Sequence, residues 1–206
     1  MLNIRHFLPA ATLLVAISSP ASAAIVVYVN QGLWNSAVTN AGLVVETETF
    51  NEVEDGFYES PFGGSTASVE WSASAIGGLY VQGDVLSTNR PETLTFTFTP
   101  GVRAVAGNFF GTDIEFNNAS VIFTVALSNG TSFSGEASSP ASFTGFRSTT
   151  AATISSLSIE VESAQGFTGP SPVYPSVDNL YFGVPAPGAL ALLGAAGLIG
   201  LRRRRN

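Results

Sequence analysis

The stretch Thr93–Thr99 reads TLTFTFT and decides the fold class of this chain. Polar and apolar residues alternate without a break, so Leu94, Phe96 and Phe98 fall on one side of an extended backbone. Threonine occupies every position of the other side. This period-two pattern predicts a half-buried β-strand with an apolar inner face and a solvent-exposed outer face.

Similar short apolar or alternating runs recur along the chain on both sides of this stretch. The further strand candidates are Ile25–Val29, Leu43–Phe50, Ser68–Ala73, Val102–Phe110, Val121–Leu127, Thr131–Ser134, Ser156–Val161 and Val177–Phe182. Short strands at such intervals predict an all-β fold, an antiparallel β-sandwich or jelly roll. A single helix is expected around Leu33–Gly42, where Trp34, Val38 and Ala41 share a face.

The connections between these segments carry their own signals. Asn129-Gly130 lies between two apolar runs, which predicts a β-hairpin with a type I′ turn. The Ser-, Gly- and Pro-rich stretches Ser134–Ser142 and Gly169–Ser176 are expected to be loops within one domain rather than linkers between domains.

Composition removes several classes of chemistry. The 206 residues contain no Cys and no Lys, and the only histidine is His6. A chain without Cys has no disulfide, no thiol nucleophile and no thiolate metal site, and a chain without Lys forms no Schiff base. Possible catalytic chemistry in the central region is therefore limited to carboxylates.

The first 23 residues have the layout of a secretory signal peptide. A short basic start with Arg5 precedes an apolar run, Phe7–Ser18, which is too short to cross a bilayer. Ala21 and Ala23 are the two small residues of a small-x-small cleavage motif. The alternative, a buried N-terminal helix, conflicts with Pro9 and Pro20. Cleavage after Ala23 removes His6, so the exported protein has no imidazole for a Ser-His-Asp triad or a His-ligated zinc.

The C-terminal residues 184–206 have three parts in a fixed order. Val184-Pro185-Ala186-Pro187 is followed by an apolar run, 188–201, which predicts a single membrane helix, and by four arginines, Arg202, Arg203, Arg204 and Arg205. Fourteen helical residues span about 21 Å against a hydrocarbon core of about 30 Å, so this is a short span. The arginines predict a cytoplasmic C-terminus and an external N-terminus. The alternative is a buried helix with a solvated basic tail.

This arrangement resembles the PEP-CTERM sorting signal of exported bacterial envelope proteins, with Ala186 where glutamate is usual. The resemblance implies an exosortase-type membrane protease or transpeptidase as a partner, acting near the Pro-x-Pro motif. The membrane helix would then be a transient anchor in the cytoplasmic membrane. After processing, the protein would be released to the cell surface or the extracellular matrix.

Residues 24–183, here called the cargo region, form the expected β-sandwich domain. Its last segment, Pro175–Gly183, reads PSVDNLYFG. This segment and the strand spacing are similar to carbohydrate-binding-type jelly rolls carried by PEP-CTERM proteins. The resemblance implies a fold and names no ligand.

The carboxylates of the cargo region leave three interpretations open. Glu46 and Glu48 share one strand face, and Asp178 would join them in a calcium site if the first and last strands are neighbours. The second interpretation is a solvated acidic edge that discourages edge-to-edge pairing. The third is a glycoside hydrolase with two flanking carboxylates, for which the sequence supplies no distance.

The remaining groups point to a non-catalytic binding or structural role. Five aromatic residues are candidates for stacking on sugars or for the core: Trp34, Tyr58, Trp71, Tyr80 and Tyr174. Alternation of Val69 and Trp71 favours the core for Trp71. The cargo region holds 15 acidic residues against three arginines, a net charge of −12, which excludes nucleic acid as a partner. We expect a cell-surface or matrix protein that is adhesive and binds extracellular polysaccharide, with a purely structural envelope protein as the alternative.

Overall fold

A computed structural model describes residues 24–164 and 172–186. Within these ranges the chain forms fifteen strands and a single helix, α1 (Gln31–Asn40), between the first two strands. In chain order the strands are β1 (Ile25–Tyr28), β2 (Leu43–Glu48), β3 (Gly56–Tyr58), β4 (Phe62–Ser65), β5 (Glu70–Ser74), β6 (Leu79–Gln82), β7 (Val85–Thr88), β8 (Leu94–Phe98), β9 (Ala104–Thr112), β10 (Asn118–Ala119), β11 (Val121–Leu127), β12 (Ser132–Ala137), β13 (Phe143–Ser148), β14 (Ser156–Ser163) and β15 (Tyr174–Pro185).

The strands form two antiparallel sheets that pack face to face. In the described residues the larger sheet has nine strands in the order β1-β13-β9-β15-β7-β6-β3, with β10 beside β9 and β2 beside β15. The smaller sheet has six, in the order β12-β11-β14-β8-β5-β4. The predicted all-β antiparallel fold is therefore confirmed.

The decisive stretch is a strand of the smaller sheet, with the predicted inner face. Leu94 and Phe96 of β8 are completely buried and Phe98 is nearly so. The ring of Phe98 meets that of Phe182 in the opposite sheet edge-on, with centroids 5.2 Å apart. Apolar residues from both sheets form one continuous core, which is why the alternation was so regular.

The predicted helix is confirmed, and it covers the outer face of the larger sheet rather than the space between the sheets. Asn30 caps it, accepting a hydrogen bond from Leu33 N at 3.0 Å. Trp34 and Val38 are fully buried against Ala104 and Ala106 of β9, in a second, smaller hydrophobic cluster. The helix covers only part of this face, and the described residues form no second helix over the rest of it.

The Asn-Gly hairpin between β11 and β12 is present, but its turn is not type I′. Gly130 N donates to Leu127 O at 2.9 Å, and Leu127 N donates to Thr131 O. Gly130 has a φ of 85°, and it alone has a positive φ in residues 128–131, whereas a type I′ turn requires two such residues. The pattern is that of a three-residue loop with a glycine bulge.

Every strand candidate overlaps an observed strand, and both predicted loops are partly strand. β12 continues to Ala137, and β15 begins at Tyr174. Six strands had no sequence prediction: β3, β4, β6, β7, β10 and β13. They are short or rich in glycine and polar residues, and pairing with neighbours holds them extended.

The structure bears on the chain ends only in part. β15 runs through Val184 and Pro185, which pair with Val44 and Leu43 of β2, so the last strand extends two residues past the predicted end of the cargo region. The cleavage residues Ala21 and Ala23, Pro187, the predicted helix 188–201 and the arginine cluster lie outside the described residues. Within the described ranges, no helix has the length and apolarity needed to cross a membrane.

Candidate functional site

A pocket opens on the outer face of the larger sheet, on the part that α1 leaves uncovered. Its cavity volume is about 270 Å³. We call it the outer-face pocket. It is lined from β6, β7, the end of β9, the following loop and the start of β15 by Tyr80, Gln82, Ser87, Thr88, Asn89, Thr112, Asp113, Ile114, Phe116 and Tyr174. Strand pairing explains this assembly, because Tyr80 pairs with Ser87, and Ser87 with Ser176, in one row across the sheet.

Two aromatic rings form one wall of the outer-face pocket. The rings of Tyr80 and Phe116 have centroids 5.6 Å apart and are tilted by 48°. Both side chains are half-buried, and neighbouring Ile114 is 74% exposed. Phe116 has a φ of 62°, a left-handed conformation that is costly for a bulky residue and is concentrated at functional sites.

Asp113 holds the loop that carries Phe116. Its Oδ1 accepts hydrogen bonds from Glu115 N at 2.8 Å and Asn117 N at 2.9 Å, and its Oδ2 accepts one from Asn117 Nδ2 at 3.1 Å. Burial acts to raise the pKa of Asp113, but these hydrogen bonds outweigh it, and the pKa is lowered. The carboxylate is therefore ionised at neutral pH and committed to shaping the loop.

The floor of the pocket is a chain of buried hydroxyl groups. Ser176 Oγ lies 2.8 Å from Thr112 Oγ1 and 3.0 Å from Ser87 Oγ, and Ser87 Oγ donates to Pro175 O at 3.1 Å. All three side chains are essentially inaccessible to solvent. The polar floor is thus internally satisfied, and the exposed groups Gln82 and Asn89 at the rim are left to contact a ligand.

Glu46 and Glu48 lie together on one face of β2, as predicted, and both face the space between the sheets. Glu46 accepts hydrogen bonds from the hydroxyls of Thr66 and Ser68 and from Ser68 N, at the turn between β4 and β5. Burial acts to raise the pKa of Glu46, but these hydrogen bonds outweigh it and lower the pKa. Glu46 is therefore a clip that joins the edges of the two sheets.

Glu48 is also engaged in the fold. Its Oε2 accepts a hydrogen bond from Trp71 Nε1 at 2.9 Å, and its Oε1 accepts one from Phe50 N at 2.9 Å. It lines a cleft of about 360 Å³ together with Trp71 and polar residues of the β2 and β4 edges. The predicted burial of Trp71 in the core is confirmed, with 4% of the side chain exposed.

Asp178 is not brought to these two glutamates. It lies in a bulge of β15, where the pairing with β9 shifts between Val177 and Leu180. Burial and the nearby charge of Asp84 raise the pKa of Asp178. Among the described residues, no three His, Cys, Asp or Glu side chains lie close enough together to hold a metal ion. The predicted trio is not assembled, and calcium binding stays a prediction.

The five predicted aromatic candidates divide between core and pocket. Trp34 and Trp71 are buried, and Tyr58 packs against Phe62 with centroids 4.3 Å apart. Tyr80 and Tyr174 line the outer-face pocket. Sequence reasoning missed Phe116, Gln82 and Asn89. The available signal was the pair of large apolar residues, Ile114 and Phe116, inside the otherwise polar run Asp113–Asn117.

Comparison of the chain with protein-family models, with curated proteins and with solved structures gave no match in any of the three.

Proposed function

We propose that this chain is an exported cell-surface or extracellular-matrix protein whose jelly-roll-type sandwich binds a glycan without catalysis. The single observation that carries the proposal is the outer-face pocket, with its wall of Tyr80 and Phe116 and its amide-bearing rim. Concave sites lined by aromatic rings with a few placed polar groups are the usual form of small-ligand sites. A sugar presents both an apolar C–H face for the rings and hydroxyls for the amides.

The Glu46 and Glu48 pair does not have the layout of a hydrolase, and Asp178, whose pKa is raised by burial and by Asp84, does not line the outer-face pocket. A glycoside hydrolase needs a general acid with a raised pKa beside a second, ionised carboxylate. The pKa of Glu46 is lowered, and both Glu46 and Glu48 accept hydrogen bonds from the fold. The cargo region also lacks His, Lys and Cys, the other common proton-transfer and nucleophilic groups.

Export and sorting form the second part of the proposal. A signal peptide, 1–23, would direct export, and the PEP-CTERM-like segment, 184–206, would hold the chain in the membrane until an exosortase acts. Val184 is 6% exposed, and Val184 and Pro185 pair with β2. A peptidase needs an extended and accessible substrate, so the cut should fall after Pro185.

Intact mass of the protein in cells with and without the exosortase tests this second part. Wild-type cells should yield a C-terminus beyond Pro185, and exosortase-deficient cells a heavier, membrane-retained form. An unchanged C-terminal mass would refute sorting by such an enzyme.

A glycan array tests the first part. Residues 24–186 contain both hydrophobic clusters and both sheets, so this segment carries the complete core. It should bind a defined set of glycans, and Tyr80→Ala should abolish the signal. Phe57→Ala is the matched control, because Phe57 of β3 pairs with Tyr80 of β6 but does not line the pocket. Parallel arrays with calcium test the calcium prediction.

The array also separates the alternatives. Blank arrays with and without calcium would refute glycan binding and favour the purely structural envelope protein. Cleavage of an arrayed glycan, abolished by one Glu→Gln substitution, would favour the hydrolase.

A further inference from the structure

The described side chains that line the outer-face pocket include no arginine, lysine or histidine. None of the three arginines of the cargo region lines the pocket, and Arg90, which follows the rim residue Asn89, lies beside the rim and not in the lining. Arg103 Nη2 donates to Thr150 O at 2.7 Å, and Arg147 Nη1 donates to Ser148 O at 3.3 Å. Arg90 lies over Gly77, with its Cδ 2.6 Å from the position that a Cβ of Gly77 would take. Among the described residues, the lining of the pocket therefore offers no cation to pair with a carboxylate, sulfate or phosphate on a ligand.

Asp113 is the one acidic side chain in the lining, and it does not provide a contact for an acidic sugar. Asp113 accepts three hydrogen bonds from its own loop, so its oxygens are already engaged. Its negative charge, with the −12 of the whole cargo region, repels anionic ligands. Charge thus acts against uronic acids and sulfated sugars at both short and long range.

Uncharged polar groups are placed where a ligand enters. Gln82 is exposed at the end of β6. Asn89 is exposed too, and its Nδ2 donates to Gly77 O at 3.2 Å, which leaves Oδ1 as the acceptor of this side chain. An amide offers both a donor and an acceptor, which suits the hydroxyl groups of a neutral sugar.

The volume limits how much of a glycan enters. At about 270 Å³ the pocket lies just below the range of about 300–1,000 Å³ that is usual for drug-sized ligands. One six-membered sugar ring fits such a space between the aromatic wall and the rim. The rest of a chain must remain outside the pocket.

We infer that the outer-face pocket binds one uncharged pyranose unit of a neutral glycan and rejects uronate and sulfated units. This inference rests on the proposed function and names the substrate class of the same site. Tyr80 and Phe116 supply the stacking surface, and Gln82 and Asn89 supply the hydroxyl contacts.

Titration calorimetry on residues 24–186 tests the inference with two sets of probes. The neutral set consists of cello-, xylo- and manno-oligosaccharides and of N-acetylated chito-oligosaccharides. The acidic set consists of oligogalacturonate, oligoalginate and heparin fragments. At least one neutral probe should bind with an affinity that does not change between low and high salt. No acidic probe should bind at either salt concentration.

Variants at the rim connect the binding to this pocket. Gln82→Ala should lower the affinity for the neutral probe about tenfold, which is equivalent to the loss of one hydrogen bond of about 1.4 kcal/mol. Gln31→Ala, an exposed glutamine on α1, is the matched control and should leave the affinity unchanged. Gln82→Arg adds the missing cation and should admit oligogalacturonate.

The outcomes separate the two levels of the proposal. Binding of an acidic probe by the wild type, lost in Tyr80→Ala, would overturn the neutral-sugar inference and leave glycan binding intact. Failure of every probe, neutral and acidic, would overturn both.

Discussion

The outer face of the larger sheet has two halves, which lie on different strands apart from the shared β9 and β15 and which differ in what covers them. Under α1 the sheet presents Ala104, Ala106 and Gly145, which are small enough for the helix to settle on the backbone. Toward β6 it presents Tyr80 and Gln82, which no helix of the described residues covers. Side-chain size along the rows of one sheet thus determines where a helix packs on it and where a pocket remains.

Removing the main contact between α1 and the sheet should cause the largest loss of stability. Trp34 is fully buried, and its Nε1 donates to Phe146 O at 3.3 Å. Trp34→Ala should lower the free energy of unfolding by about 3–5 kcal/mol, the usual cost of such a cavity. Urea denaturation measures it.

Leu33→Ala is the control on the same helix, because Leu33 is 65% exposed. It should change stability by no more than about 0.5 kcal/mol. Equal losses for the two variants would mean that α1 does not depend on its contact with the sheet.

Adding a single carbon under the helix should have an intermediate effect. A Cβ at Gly145 would lie 2.4 Å from Trp34 Cδ1, so the ring or the strand must shift. Gly145→Ala should cost about 1–3 kcal/mol, the range for overpacked cores. Chemical denaturation should show the loss, whereas Gly32→Ala on the exposed helix surface should not be destabilising. A fully stable Gly145→Ala protein would argue against close packing of Trp34.

The clip at the sheet edge should have the smallest effect and a clear pH dependence. Glu46→Gln should cost about 1–2 kcal/mol at neutral pH, because charge-assisted hydrogen bonds are lost from a partly exposed side chain. The pKa of Glu46 is lower in the folded state than in the unfolded state. Its contribution is therefore complete above the unfolded value of about 4.3 and is lost as pH falls through the folded pKa.

Thermal melts of wild type and variant across this range should accordingly converge in acid. Glu52→Gln, an exposed neighbour, should match the wild type throughout. A gap between Glu46→Gln and the wild type that stays constant down to pH 2 would rule out an ionic clip.

The sequence predicted those parts of the fold whose burial is periodic. The alternation of β8 and the helical spacing of Trp34 and Val38 both record an apolar face turned to a core. β13 is a buried strand that contains Thr144 and Gly145, because the ring of Trp34 packs on Gly145 and leaves no room for a larger side chain. Its sequence therefore has no regular apolar pattern. Strands held by their neighbours leave no local period to detect.

The candidate site was less predictable, because it depends on long-range pairing. Tyr80, Phe116 and Tyr174 come from three distant segments, and only the row of paired strands places them around one cavity. Glu46 and Glu48 lie on one face of β2, but their partners are distant in sequence: Trp71 is in β5 of the other sheet, and Thr66 and Ser68 are in the turn before β5. Residue type indicated the chemistry, and topology decided its use.

The most direct test of the central claim is an NMR titration of residues 24–186 with the neutral oligosaccharide that binds most tightly. Saturating ligand should shift backbone amides of β6, the loop 113–117 and the start of β15, with contacts from the sugar protons to the rings of Tyr80 and Phe116. The amides of α1, on the covered half of the same face, should not move. Shifts confined to the Glu48 and Trp71 cleft, or to α1, would contradict a ligand site on the open half of the sheet.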